Sequence, residues 1–246
     1  MVHLRTIQAT AIRSIFEVLK DIINDVNVYF SPAGIKILTL DIARVTLVHV
    51  FLAAENFEEY SCPNEVAAGL NMANTHKLLK SVGNNDTLFM RIDNRDVLEI
   101  IVENSVKKSS TSYKLKLLDI NEDILEVPAI HMDVITTLPS MDFQRITRDM
   151  GNLANDITIT RDGTMLELAC QGDFADQRTV IEYPEHVERV GNVFSLKYIN
   201  LFTKATGMCS SVQLMQDSQN DGVIVFRYSI ANLGDMKFYL AAKMDS

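Results

Sequence analysis

Apolar residues recur on a helical spacing at Ile12, Ile15, Phe16, Leu19, Ile22 and Ile23, with Arg13, Glu17, Lys20 and Asp21 at other positions. This spacing predicts one amphipathic helix from Ala9 to Asn24. At Val26 the period changes. Val26, Val28 and Phe30 alternate with Asn27 and Tyr29, and the run Ser31, Pro32, Ala33, Gly34 supplies a turn before an apolar stretch from Ile35 to Leu40. Further strands are predicted at Thr46–Leu52, Thr87–Ile92, Val97–Glu103 and Ser112–Leu118, with a short helix around Ala73–Ser81 between them.

The second half of the chain repeats this order, and the repeat is tested by offset. Asn24, Asp25, Val26 and Val28 find Asn155, Asp156, Ile157 and Ile159 at an offset of 131. Later in each half the offset is 124: Leu70, Met72, Lys80, Gly83, Leu88 and Met90 correspond to Phe194, Leu196, Lys204, Gly207, Val212 and Leu214. Ordered agreement over two separate blocks indicates a duplicated domain. The reading is an α+β chain with two similar domains, 1–118 and 134–246, each with two helices packed on antiparallel sheet.

Residues 119–133 join them. The segment holds Asp119, Asn121, Glu122, Asp123 and Glu126, but also Ile120, Ile124, Leu125, Val127 and Pro128. It is either an ordinary acidic linker whose apolar side chains pack on a neighbouring domain, or one side of a docking groove.

Composition narrows the function. An apolar content of 47% over 246 residues is ample for real cores. The net charge of −9 argues against a general nucleic-acid binder, so any contact with phosphate must be local. Cys62, Cys170 and Cys209 are far apart and form no metal-ligand pair, so neither a disulfide framework nor a zinc site is indicated, and a reducing compartment is expected. No secretory leader and no membrane span are read, and no cofactor is expected.

The positive charge is unevenly placed. The four helical segments, 9–24, 71–82, 141–153 and 195–207, carry Arg13, Lys20, Lys77, Lys80, Arg145, Arg148, Lys197 and Lys204 against Glu17, Asp21, Asp142 and Asp149. These segments are therefore net +4, and the rest of the chain is −13. Each basic pair is spaced by three or seven residues, which puts both members on one helical face. Two readings stand: solvated faces balanced by nearby acids, or contacts to duplex phosphates that position a protein without reading sequence.

Leu19 to Asn24, Leu40 and Asp41, Tyr113 to Asp119, Asn200 to Thr206, and Tyr239, Leu240, Ala241 and Lys243 resemble the matching blocks of the proliferating cell nuclear antigen family, in order along the whole chain. The resemblance implies a clamp fold: a closed ring of three identical subunits, with helices lining a hole for double-stranded DNA. It implies a non-enzymatic processivity factor whose partners are a DNA polymerase, a clamp loader and other replication or repair proteins that dock through short peptide motifs. A basic lining with an acidic exterior suits that role.

The resemblance also assigns residues. The eight helix cations would face DNA. Leu40, Arg44, Val45, Leu47, Leu125, Val127, Pro128, Val223, Tyr239 and Ala241 would form the partner-peptide groove. Ser109–Lys116 would pair with Asp176–Glu182 of the next subunit, through Ser110, Tyr113, Lys114, Arg178 and Val180. Leu40, Arg44, Val223 and Ala242 replace a methionine, a histidine and two prolines common in relatives, and Arg161 stands at the place of a modifiable lysine. Simple core packing or ordinary cross-strand contact is the competing reading for each groove and interface residue.

Other function classes fare less well. The five histidines, His3, His49, His76, His131 and His186, lie in no catalytic or metal spacing, and no phosphate-binding glycine loop occurs. A heteromeric checkpoint-type clamp or a monomeric viral processivity factor would keep the fold and change the assembly. The expected setting is a nucleus, or a viral replication compartment or cytoplasm for a viral or archaeal source.

Overall fold

The computed structural model describes residues 1–41, 43–94, 96–121, 125–127 and 130–243. The chain divides into two compact units. The first comprises residues 1–42, 48–127 and 229–236, and the second residues 43–47, 128–228 and 237–246.

The first unit contains, in order, β1 (Val2–Thr6), α1 (Ala9–Leu19), β2 (Asp25–Ser31), β3 (Gly34–Leu40), β4 (Thr46–Ala53), β5 (Glu59–Ser61), β6 (Val66–Asn71), α2 (Met72–Leu79), β7 (Asp86–Ile92), β8 (Val97–Asn104) and β9 (Ser109–Lys116). One sheet runs β5-β1-β7-β8-β9, so β9 is an edge. In the other sheet β3 lies between β4 and β2, and β6 flanks β2. α1 lays Ile12, Ile15, Phe16 and Leu19 into the core and leaves Glu17 in solvent, as its period requires.

The second unit contains β10 (Val134–Pro139), α3 (Ser140–Gly151), β11 (Asp156–Gln171), β12 (Asp176–Ser195), α4 (Leu196–Phe202), β13 (Ser211–Asp217), β14 (Asn220–Ile230) and β15 (Gly234–Ala241). Strand neighbours here run β10-β13-β14-β15, and β11 pairs with β12. Its core stacks Phe202 on Phe238 with ring centroids 4.5 Å apart, and Phe143 on Phe226 at 5.8 Å.

The duplication is visible in the hydrogen bonds. Thr6 pairs with Leu88 and Leu4 with Met90, while Leu138 pairs with Val212 and Thr136 with Leu214. Val26 opposes Leu70 in the first unit, and Ile157 opposes Phe194 in the second.

Element ends depart from the sequence reading at several places, including the ends of α1 and α4 and the start of β9. The first helix stops at Leu19 and not Asn24; past it the Leu19 carbonyl accepts from the Ile22 amide in a tighter 3-10-type bond as well as from the Ile23 amide. The fourth is helical only to Phe202 and continues as 3-10 turns over Thr203–Met208. β9 begins at Ser109 and not Ser112, since its first four residues are exposed on both faces and carry no apolar alternation.

A corner in the second unit depends on Arg161. β11 and β12 slip register between Arg161 and Met165, with Gly163 at φ +56°. Arg161, only 2% exposed, donates to the carbonyls of Gly163 (2.8 Å), Met165 (3.3 Å) and Glu185 (2.9 Å), and its guanidinium lies 4.9 Å from the Tyr183 ring. The fork of donors thus holds three carbonyls around the register shift.

Candidate nucleic-acid interface

In the first unit α1 packs on α2, and the four expected cations sit on this helix pair. Lys77 and Lys80 are exposed, Lys20 is half-buried, and Lys20 and Lys80 occupy the C-caps of α1 and α2. A cation there also interacts favourably with the helix dipole, so these lysines have a structural use as well. Arg13 is more committed: its Nη1 donates to the Val82 carbonyl at 2.6 Å. His76, on α2 with Lys77, is buried. Desolvation lowers its pKa, Lys20 acts in the same direction, and Glu17 opposes both.

In the second unit α3 packs on α4 and on the 3-10 turns that follow it. Arg145, Arg148, Lys197 and Lys204 are all exposed. Arg145 reaches Asp142 at 3.2 Å and Arg148 reaches Asp149 at 3.9 Å, while the Lys197 ammonium lies 5.7 Å from the Tyr198 ring. Exposed pairs of this kind contribute little stability, so either arginine can exchange its carboxylate for a phosphate at small cost. The eight cations thus fall into two groups of four, one in each unit, on its helices and their caps and, for Lys204, on the 3-10 turns after α4.

The residues assigned to subunit contact lie on exposed strands. Ser110 and Lys114 on β9 are exposed and Tyr113 is half-buried opposite Ile100. Arg178 and Val180 on β12 are exposed, with Arg178 held to Glu167 at 2.7 Å. The sequence reading does not single out Phe174, which is 79% exposed in the turn between β11 and β12. A large aromatic next to Gly172 and Asp173, in a turn where a polar residue is expected, is the signal that marks it.

The residues assigned to a partner groove divide between the units. Leu40 at the end of β3 and Leu125 are half-buried, and Val127 is exposed; all three belong to the first unit. In the second, Arg44 and Val45 are exposed, with Arg44 at φ +57°, and Leu47 is buried. Val223 and Tyr239 are half-buried and Ala241 is exposed. Pro128 lies outside the described residues. Leu125 also lines a pocket of about 330 Å³ in the first unit, together with Tyr29, Leu38, Phe51, Lys36 and Glu65.

Among the described residues no three His, Cys, Asp or Glu side chains are grouped to hold a metal ion, and no helix is long and apolar enough to cross a membrane.

Comparison with known proteins agrees with the duplicated architecture. The chain is 36% identical over 252 aligned positions to the probable DNA polymerase sliding clamp 1 of Paramecium bursaria Chlorella virus 1, covering 97% of this chain and 95% of that protein. Residues 1–125 match the proliferating cell nuclear antigen N-terminal domain and residues 126–243 match the C-terminal domain. With both domains matched in order over nearly its whole length, the chain belongs to the proliferating cell nuclear antigen family.

Proposed function

We propose that this chain is a DNA sliding clamp, a replication factor that closes around duplex DNA and raises polymerase processivity. The observation that carries the reading is the repeated helix pair: each unit presents four cations on helices while the chain as a whole is strongly acidic. Lys and Arg on helix faces without stacking aromatics suit sliding along phosphates and give no sequence readout. Its partners are DNA and a DNA polymerase. The chain itself catalyses nothing; a loader that hydrolyses ATP opens the ring, and the closed ring tethers partners and raises their effective concentration.

The ring is a homotrimer in which β9 of one subunit pairs with residues 176–182 of the next. Both strands have the character this needs. β9 is a sheet edge whose backbone groups are open to a new partner, and both carry exposed side chains. Partner peptides dock against the connector, with Leu125 and Val127 as its apolar contribution. Likeness to a viral protein supports a viral replication compartment as the setting.

The test is polymerase extension on a singly primed circular template with the loader, beside light scattering over a concentration series. A mass three times 27.7 kDa with lengthened products supports the reading. A persistent monomer moves the chain to the heteromeric or monomeric alternatives. Reversing Lys80 and Lys204 to Glu together is expected to reduce extension severalfold without changing the mass, and unchanged extension removes those two lysines from the DNA-facing set.

A further inference from the structure

The connector is fastened at its start by one cross-strand pair. Asn27 on β2 and Gly69 on β6 are direct partners in the antiparallel ladder. The chain leaving β9 passes over them. Leu118 N–H donates to the Gly69 carbonyl at 2.8 Å, and Asn27 Nδ2 donates to the Ile120 carbonyl at 2.9 Å. Asn27 is 7% exposed between buried Val26 and Val28, where an amide is tolerated only if it finds a partner. Gly69 has the complementary property. A Cβ built there would lie 2.2 Å from the Leu118 carbonyl oxygen and 3.1 Å from Ile120 Cδ1, so any side chain would push the connector off its seat.

The second unit supplies an internal control. Its equivalent pair is Thr158 and Val193, and the chain leaving β15 makes the same backbone bond, Lys243 N–H to the Val193 carbonyl at 2.9 Å. The backbone feature is thus part of the duplicated fold. The Asn and Gly side-chain choices are not; they occur only where the chain goes on to become the connector.

We infer that Asn27 and Gly69 are positioning residues for partner docking, fixing the start of the connector that carries Leu125 and Val127. This rests on the reading of the connector as a docking element. Fixing a docking segment before binding removes ordering cost from the binding step. One buried hydrogen bond corresponds to roughly a twofold to tenfold change in an equilibrium.

The experiment uses the full chain and a fluorescein-labelled synthetic peptide bearing two aromatic residues and one aliphatic residue, read by anisotropy. Asn27→Ala and Gly69→Ala should each weaken peptide binding by about threefold to tenfold. Solution mass should stay the same, and amide hydrogen exchange at residues 117–121 should accelerate. Thr158→Ala should leave the peptide affinity unchanged. Wild-type affinity in both Asn27→Ala and Gly69→Ala overturns the positioning role even if exchange accelerates. A wild-type chain that takes up no peptide instead overturns the docking reading, and the inference with it.

Discussion

The backbone N–H of Met72 donates to the carbonyl of Asn24 at 2.8 Å, tying the first residue of α2 to the loop that leaves α1. The second unit repeats this bond between Leu196 and Asn155 at 2.9 Å. The two residue pairs are those matched by the offsets of 124 and 131, so the sequence repeat and the structural repeat coincide at a single hydrogen bond.

The copies have diverged at the adjoining cap, and this makes a paired prediction. Asn71 accepts from the Asn74 amide at 2.9 Å and donates to Asp25 at 2.7 Å, whereas Ser195 makes no side-chain cap. Asn71→Ala should therefore cost about 1 kcal/mol in chemical denaturation, while Ser195→Ala should stay within about 0.5 kcal/mol of wild type. Equal losses would show that the cap geometry is not what distinguishes the two helices.

Arg161 should behave as a structural residue. Replacing it by Ala leaves three carbonyls at a register shift without their donor, at a cost of about 2–4 kcal/mol in equilibrium unfolding. Arg161→Lys should recover only part of this, because an ammonium lacks the guanidinium fork. Full stability in the alanine variant would contradict the role assigned to the fork.

His76 gives the protein a pH dependence of defined sign. Burial and then Lys20 lower its folded pKa, so the unfolded chain takes up this proton first as pH falls. The contribution to stability is complete above the ordinary histidine value near 6.5 and declines as pH drops from there toward the lower folded value. Thermal midpoints between pH 8 and 5 should fall less steeply in His76→Gln than in wild type, and parallel slopes would exclude His76 as the titrating group.

Much of the fold was legible because burial writes a period into the chain. The α1 face from Ile12 to Leu19 and the alternation Val26, Val28, Phe30 appear in the structure as read. β1 was not read. Val2, Leu4 and Thr6 do alternate with His3 and Arg5, but with Thr6 polar only two apolar residues mark the inner face. No glycine or proline stands at the end of α1 at Leu19 or of α4 at Phe202 to announce it.

The candidate sites were legible in proportion to their chemistry. Charge segregation marked the helix cations directly, because a basic helix in an acidic chain is visible in composition. The groove and interface assignments rest on family resemblance, since a half-buried Leu40 or Tyr239 has the same pattern as a core residue. Asn27 and Gly69 carried only a faint signal, an amide inside an apolar strand and a glycine inside another. Their pairing across the sheet, and the chain above them, exist only in three dimensions.

The most direct test of the central claim is topological. The chain is labelled, loaded onto nicked circular DNA with its loader, freed of unbound protein, and half the sample is then linearised with a restriction enzyme. A ring that encircles DNA should stay on the circle through gel filtration in moderate salt and slide off the linear molecule. Equal retention on both forms would mean that the chain grips DNA by contact and does not enclose it, contradicting the sliding-clamp account.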